Sequence, residues 1–122
     1  MAKTRRSLIR PRTTAYQHQS GRCFYCGLPM WEDSAEEYAS RNRVSLKQAH
    51  LFQSTGEHLK AHSDGGDASS SNIVAACRYC DTHRHKAARP LTPERYKRHV
   101  RERMEKGRWF AFDVRALRAR DA

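Results

Sequence analysis

The sequence lacks any apolar run approaching the ~18 residues that a membrane-spanning helix needs. Its basic start lacks the apolar core of a secretion signal, and it carries no lipidation motif or amphipathic apolar anchor. We therefore expect a cytoplasmic protein with no membrane partner. Apolar residues make up only 38% of the chain and charged residues 30%, and internal repeats are absent. A core this small usually needs a metal or disulfide staple.

Acidic residues are missing from residues 1–22, which carry six basic side chains. Residues 84–108 carry ten basic and three acidic side chains, whereas residues 32–67 are mildly acidic, and the formal net charge is +11. Two basic ends around a less charged centre suit a nucleic-acid backbone, because each neutralised phosphate releases counterions. A basic protein that is merely soluble, or that binds acidic membranes, would share this charge. The missing membrane anchors favour nucleic acid.

The length of 122 residues fits one domain. Residues 1–13 are basic and show no periodicity, which predicts a flexible arm before a single domain at 14–122. Within that domain, residues 54–59 and 73–76 favour strands, and residues 78–88 favour a helix. The order strand, loop, strand, helix predicts a compact core over about residues 54–88.

The flanking segments also carry local signals. Residues 14–21 predict one short helical turn, and residues 33–43 suit either a polar helix or a loop. Ser45 is a candidate cap for a further short helix. The end of the chain predicts a basic helix over about residues 93–106, since Thr92 and the proline after it favour a helix start and Gly107 favours its end.

The four cysteines form two Cys-x-x-Cys pairs separated by 50 residues. The pairs are Cys23 with Cys26, and Cys77 with Cys80. A two-residue gap lets both sulfurs of a pair reach one ion, and four thiolates satisfy tetrahedral zinc. With no coordination position left open, such a site stabilises the fold rather than performing chemistry. Redox pairs, disulfides or a mixed site with one of the seven histidines are the alternatives.

A further motif begins between the cysteine pairs and ends just after the second pair. Glu57-His58-Leu59 is followed by Gly65-Gly66, then by Asn72-Ile73, and finally by Asp81 directly after the second cysteine pair. This order and spacing resemble the McrA-like branch of the HNH nucleases, over roughly residues 57–86 together with the upstream cysteine pair. The resemblance implies an α+β fold with a small ββα-metal core, stapled by a four-cysteine zinc site and flanked by helices.

The resemblance also implies a function, namely metal-dependent hydrolysis of phosphodiester bonds in double-stranded DNA. His58 would be the general base that activates water, since imidazole titrates near neutrality. A divalent ion (Mg²⁺, Mn²⁺ or Ni²⁺) would stabilise the leaving 3′ oxygen. Glu57, Asp81 and a helical histidine would bind this ion. Asn72 would orient His58 by a hydrogen bond, and the products would carry 5′-phosphate and 3′-hydroxyl ends.

Helix geometry helps to choose the helical histidine. In a helix that starts near Cys77, Asp81 and His85 lie four residues apart on one face, whereas His83 points elsewhere. His85 is therefore the preferred additional ligand, with phosphate contact as the alternative for both histidines. The predicted DNA contacts are basic residues of the last two predicted helices, although a solvated basic face would look the same. These residues are Arg84, Lys86, Arg95, Arg98 and Arg101.

Three positions depart from the family pattern. Glu57 stands where an aspartate is usual, Asp81 replaces an asparagine or histidine, and Ala61 replaces a proline. The two carboxylates keep the ability to bind a hard cation, so no required chemical role is lost. The main alternative is a non-catalytic zinc-ribbon DNA-binding protein or regulator. It explains the cysteines and the charge, but not the nuclease-like spacing of His58 and Asn72.

Overall fold

The computed structural model describes residues 9–60, 65–66 and 71–119. These form a two-stranded antiparallel sheet surrounded by helices, which confirms the predicted α+β class. None of the helices in this part of the chain is long and apolar enough to cross a membrane. The elements in chain order are α1 (Ile9–His18), α2 (Ala35–Asn42), α3 (Leu46–His50), β1 (Ser54–His58), β2 (Ile73–Cys77), α4 (Arg78–His85), α5 (Pro93–Glu105) and α6 (Arg115–Ala119).

The hairpin and the helix after it form the centre of the domain. β1 pairs with β2 in a register that places Ser54 opposite Cys77 and His58 opposite Ile73. β2 leads directly into α4, because Cys77 caps that helix through a hydrogen bond from the Cys80 N–H to its sulfur. The predicted order of strand, loop, strand and helix is confirmed, with α4 ending at His85 instead of near residue 88.

The amino-terminal helix corrects part of the sequence prediction. Residues 9–13, which the sequence assigns to the arm, form the first half of α1, and residues 1–8 lie outside the described residues. Pro11 is compatible with this helix because it lies in the first turn, where its missing N–H costs no hydrogen bond. Ala15 is buried, and Arg12 forms an ion pair with Glu32 at 3.0 Å. Tertiary contacts of this kind extend the helix beyond the one turn predicted for residues 14–21.

The side chain of Gln19 attaches the end of this segment to the sheet. Its amide nitrogen donates to the Ala75 carbonyl at 2.8 Å, and its amide oxygen accepts from the Ala75 N–H at 2.9 Å. Gln19 thereby satisfies backbone groups of β2 that a third strand would otherwise pair. The amino-terminal segment is thus held against the hairpin that carries the predicted catalytic residues.

Local signals position the other helices. Ser34 accepts a hydrogen bond from the Glu37 N–H and caps α2, so the segment at 33–43 contains a helix. Ser45 caps α3, as the sequence indicated, and Gln48 completes a capping box there. Thr92 caps α5, whose buried face packs against the aromatic core. That face consists of Tyr96, Val100 and Met104, spaced four residues apart.

Candidate functional site

The four cysteines come together beneath the hairpin. All are buried, and their sulfur atoms lie within 4.8 Å of one another. The Cys26 and Cys77 sulfurs are 3.9 Å apart. This is too far for a disulfide, whose sulfurs are about 2.05 Å apart. It is close to the roughly 3.8 Å that separates two sulfurs each about 2.3 Å from a tetrahedral zinc ion. The cluster therefore fits a structural metal, as predicted.

Hydrogen-bond donors surround these sulfurs. Trp109, which follows α5, donates its indole N–H to the Cys80 sulfur at 3.4 Å. Three backbone N–H groups donate to the Cys23 sulfur at 3.2–3.4 Å, those of Tyr25, Cys26 and Cys77. Donors of this kind stabilise thiolates, which are the form that binds a metal. The amino-terminal cysteine pair, the hairpin and the carboxy-terminal segment therefore meet at one point.

In the metal-free protein the cysteines do not ionise equally. Burial raises the pKa of the Cys77 thiol and that of the Cys80 thiol well above the usual value for cysteine. Burial also opposes ionisation of Cys23, but hydrogen bonds from the other cysteines hold its pKa well below that value. Without a metal, Cys23 ionises more readily than Cys77 and Cys80. A bound cation would favour ionisation of Cys77 and Cys80.

A second cluster forms between β1 and α4. Its three members are Glu57, Asp81 and His85, whose ligand atoms lie within 4.8 Å of one another. The Glu57 Oε1 and His85 Nε2 atoms are 2.9 Å apart, and His85 Nε2 is 3.4 Å from Asp81 Oδ1. The helical spacing of four residues places Asp81 and His85 on one face. His83 lies elsewhere, with its ring centroid 4.0 Å from that of Tyr79.

The charges of this cluster depend on one another. Burial raises the pKa of Glu57, which is 3% exposed. Burial would also raise the pKa of Asp81, but hydrogen bonds to His85 and Glu57 lower it instead. Hydrogen bonds to Asp81 and Glu57 raise the pKa of His85 to about 10. The two carboxyl groups therefore favour the protonated form of the His85 imidazole that faces them.

The cluster has the chemistry of a divalent-cation site. Carboxylate oxygens are preferred ligands of hard cations, and imidazole suits transition-metal ions. The Glu57 Oε2 atom is buried and has no hydrogen-bond partner among the residues described. A buried carboxylate oxygen without a partner is unfavourable unless a positive group approaches it. The three residues thus fit a divalent ion.

Arg84 has a different position from the one that the sequence indicated. Its Nη1 donates to Glu57 Oε1 at 3.1 Å, and its Nε and Nη2 donate to the Leu91 carbonyl at 3.1 and 2.9 Å. The side chain of Arg84 is only 11% exposed. It holds the Glu57 carboxylate in place, a role that no spacing in the sequence could reveal because Leu91 lies in an irregular loop.

His58 and Asn72 lie at the loop end of the hairpin. His58 is half-buried and ends β1, directly after Glu57. The Asn72 side chain accepts a hydrogen bond from the Lys60 N–H at 2.8 Å and donates to the Lys60 carbonyl at 3.0 Å. Gly66 packs against the same groups, since a Cβ built on it would lie 1.9 Å from the Lys60 oxygen. Asn72 and Gly66 therefore shape the loop that begins just after His58.

The remaining predicted DNA contacts divide into two groups. Arg101 donates from Nε to the Tyr25 carbonyl, and its guanidinium lies against Gly27, so it supports the first cysteine pair. Lys86, Arg95 and Arg98 are exposed. Arg101 is exposed as well. All four therefore remain predicted DNA contacts, and Arg101 has an additional contact with the segment of the first cysteine pair.

The structure thus combines a hairpin, a helix that follows it directly, and between them three side chains that could hold a metal ion. Residues 46–87 match the family model described as HNH endonuclease, which indicates an HNH domain in this part of the chain. The family prediction is confirmed, while assignment to the McrA-like branch stays a prediction. HNH nucleases act on DNA with divalent metals, so the domain indicates nuclease activity in general. A comparison with curated proteins and solved structures gave no match.

Proposed function

We propose that the protein is a metal-dependent endonuclease that hydrolyses phosphodiester bonds of double-stranded DNA. The observation that carries this proposal is the convergence of Glu57, Asp81 and His85 between β1 and α4, inside the segment that matches the HNH family model. His58 ends the same strand that carries Glu57. Two carboxylates and an imidazole in one pocket favour a catalytic cation. A DNA-binding zinc module has no use for such a cluster.

Glu57, Asp81 and His85 would hold Mg²⁺, Mn²⁺ or Ni²⁺, as the donor set allows. When bound, the ion supplies stabilisation of the negative charge that develops on the leaving 3′ oxygen. Arg84 fixes the Glu57 carboxylate through its hydrogen bond to Oε1. This contact keeps the carboxylate oriented and offsets part of the cost of burying it.

His58 is the proposed general base. Its imidazole accepts the proton of the attacking water, whose oxygen bonds to phosphorus as the bond to the 3′ oxygen breaks. A neutral imidazole is abundant near pH 7, which suits it to this proton transfer. Asn72 positions His58 by fixing the backbone two residues further along, at Lys60. The products carry 5′-phosphate and 3′-hydroxyl ends.

The test is nicking of supercoiled plasmid by zinc-loaded protein with Mg²⁺, Mn²⁺ or Ni²⁺. Replacing a general base typically costs 10²–10⁴-fold in rate, so His58→Ala should slow cleavage by at least about 100-fold. Its zinc content and DNA affinity should be unchanged. His18→Ala is the matched control, because His18 is an exposed histidine at the end of α1. DNA binding without cleavage under any of the three metals would instead support the non-catalytic DNA-binding alternative.

A further inference from the structure

A cleft of about 290 Å³ borders the metal-ligating cluster on its Asp81 side. Its walls come from three elements, α1, β1 and the first half of α4. The lining residues are Arg12, Ser54, Thr55, Gly56, Arg78, Asp81 and Thr82. We propose that this cleft binds a DNA phosphate adjacent to the scissile one. The choice of DNA as the ligand rests on the proposed nuclease function.

Two arginines from distant parts of the sequence give the cleft its positive charge. Arg12 lies on α1 and Arg78 begins α4. Arginine suits a phosphate because its planar guanidinium can donate two parallel hydrogen bonds to two phosphate oxygens. This pair was not evident from the sequence, because only the packing of α1 against the hairpin brings the two residues to one cleft.

Both arginines are anchored at points that leave their donors available. The Arg12 ion pair with Glu32 uses Nε, so both terminal nitrogens of the guanidinium can donate to another acceptor. The side chain of Arg12 is only 19% exposed, which restricts its orientation. Arg78 is anchored through its backbone, whose N–H donates to the Gln53 carbonyl at 2.9 Å. Its side chain is exposed and forms no ion pair with the other described residues.

Hydroxyl groups provide an independent indication of a ligand. Ser54 is 2% exposed, and its Oγ has no hydrogen-bond partner within the described part of the chain. A buried hydroxyl without a partner is unfavourable, and Ser54 lines the cleft. Thr82, on the exposed side, adds a second hydroxyl. Thr55 is already engaged, since its Oγ1 donates to the Ala76 carbonyl at 2.8 Å.

Asp81 connects the cleft to the proposed reaction site. It lines the cleft and also belongs to the cluster with Glu57 and His85. Its carboxylate is also turned toward the cluster, where Asp81 Oδ1 lies 3.4 Å from His85 Nε2. A phosphate in the cleft and a phosphate at the cluster would therefore be neighbours on one strand. The cleft would fix the position of the strand relative to the attacking water.

The salt dependence of DNA binding tests the cleft without relying on cleavage. Zinc-loaded protein is titrated with a short labelled duplex in the absence of added divalent ions, at several salt concentrations. The logarithm of the DNA association constant falls linearly with the logarithm of the salt concentration, and each lost phosphate contact makes this slope less steep by about 0.9. Arg78→Gln should therefore lower the slope by about 0.9. Arg78→Lys, which keeps the charge, should preserve the slope. The matched control is Arg108→Gln, which removes an exposed arginine outside the cleft.

The possible outcomes separate the cleft from the nuclease proposal. An unchanged slope in Arg78→Gln would overturn the proposed phosphate site, even if the wild-type protein nicks plasmid DNA. An equal decrease of the slope in Arg108→Gln would do the same. A fall confined to Arg78→Gln would support the phosphate site even if no metal produced cleavage. Zinc content and circular dichroism of each variant identify a slope change caused by misfolding.

Discussion

Asn72 and Lys60 are joined by a pair of hydrogen bonds between the Asn72 amide and the Lys60 backbone. The Asn72 Oδ1 accepts from the Lys60 N–H at 2.8 Å, while Nδ2 donates to the Lys60 carbonyl at 3.0 Å. A third bond runs from the Leu59 N–H to the Asn72 carbonyl at 2.8 Å. Only an amide side chain can donate and accept in this way without a charge. The three bonds close the loop immediately beyond His58.

Asn72 variants test whether this closure matters for catalysis. Asn72→Ala removes both side-chain bonds, and Asn72→Asp keeps the acceptor but places a negative charge near the Lys60 carbonyl. We expect both to slow plasmid nicking by at least about tenfold, because small displacements of a catalytic group are costly. Stability should fall by about 1 kcal/mol, since exposed hydrogen bonds contribute little. Urea unfolding and nicking rates measure the two effects. If Asn72→Ala nicks plasmid DNA at the wild-type rate, the proposed positioning role of Asn72 is contradicted.

Gly66→Ala tests the same loop by steric means. A Cβ at this position would lie 1.9 Å from the Lys60 oxygen and 2.8 Å from the Asn72 Nδ2, so the loop must move. We expect slower nicking with unchanged zinc content. Gly107→Ala is a suitable control, because Gly107 has φ +65° and a Cβ there would meet nothing within 4 Å. It should cost about 1 kcal/mol of stability through its positive φ, without slowing nicking. Equal loss of activity in both variants would exclude a specific role for Gly66.

Binding of the proposed divalent ion to Glu57, Asp81 and His85 should release a proton from His85. Its pKa is raised to about 10 in the metal-free protein, so the imidazole stays protonated through neutral pH and must lose that proton to bind a cation. We expect release of about one proton per Mn²⁺ bound at about pH 7–8. The affinity should rise about tenfold per pH unit below the pKa of His85, as linkage requires for one displaced proton.

Calorimetry in two buffers of different ionisation enthalpy measures this proton release. The experiment uses protein already loaded with zinc, so that Mn²⁺ does not fill the cysteine site. His85→Ala should bind Mn²⁺ more weakly, and its binding should not release the proton that His85 carries in the wild type. Identical proton release by the wild type and His85→Ala would exclude His85 as the source.

Removal of metal from the cysteine site should disrupt the fold around it. The site joins the segment at 23–26 to the start of α4, and the indole of Trp109 donates to the Cys80 sulfur. Chelation should therefore lower helical circular dichroism and change tryptophan fluorescence together, and added zinc should reverse both. Cys77→Ser should show the reduced helical circular dichroism even when zinc is present. Unchanged spectra after complete metal loss, verified by atomic absorption, would show that the ion is dispensable.

Local signals explain why much of the fold could be predicted from the sequence. Thr92 and Gly107 limit α5 through capping and backbone freedom, which depend only on neighbouring residues. The cysteine spacing predicts the cluster because two residues between ligands are enough for both to reach one ion. The spacing of Asp81 and His85 likewise follows from helix geometry.

The partners of long basic side chains could not be predicted in this way. Arg84 and Arg101 belong to basic segments that suggested DNA contact, but their guanidinium groups donate to Glu57, to the Leu91 carbonyl and to the Tyr25 carbonyl. A flexible arginine can reach acceptors in any element that packs nearby, so its partner is determined by tertiary structure. The helical structure of residues 9–13 has a similar origin in contacts with distant residues.

The separation of the two cysteine pairs has a consequence for synthesis of the chain. β1 and β2 lie between Cys26 and Cys77, so a metal held by all four sulfurs closes a loop that contains the whole hairpin. During translation, Glu57 and His58 leave the ribosome before the second cysteine pair does. A nascent chain can therefore complete the cysteine site only after its hairpin has emerged, so the hairpin cannot be fixed by this metal until most of the domain is made.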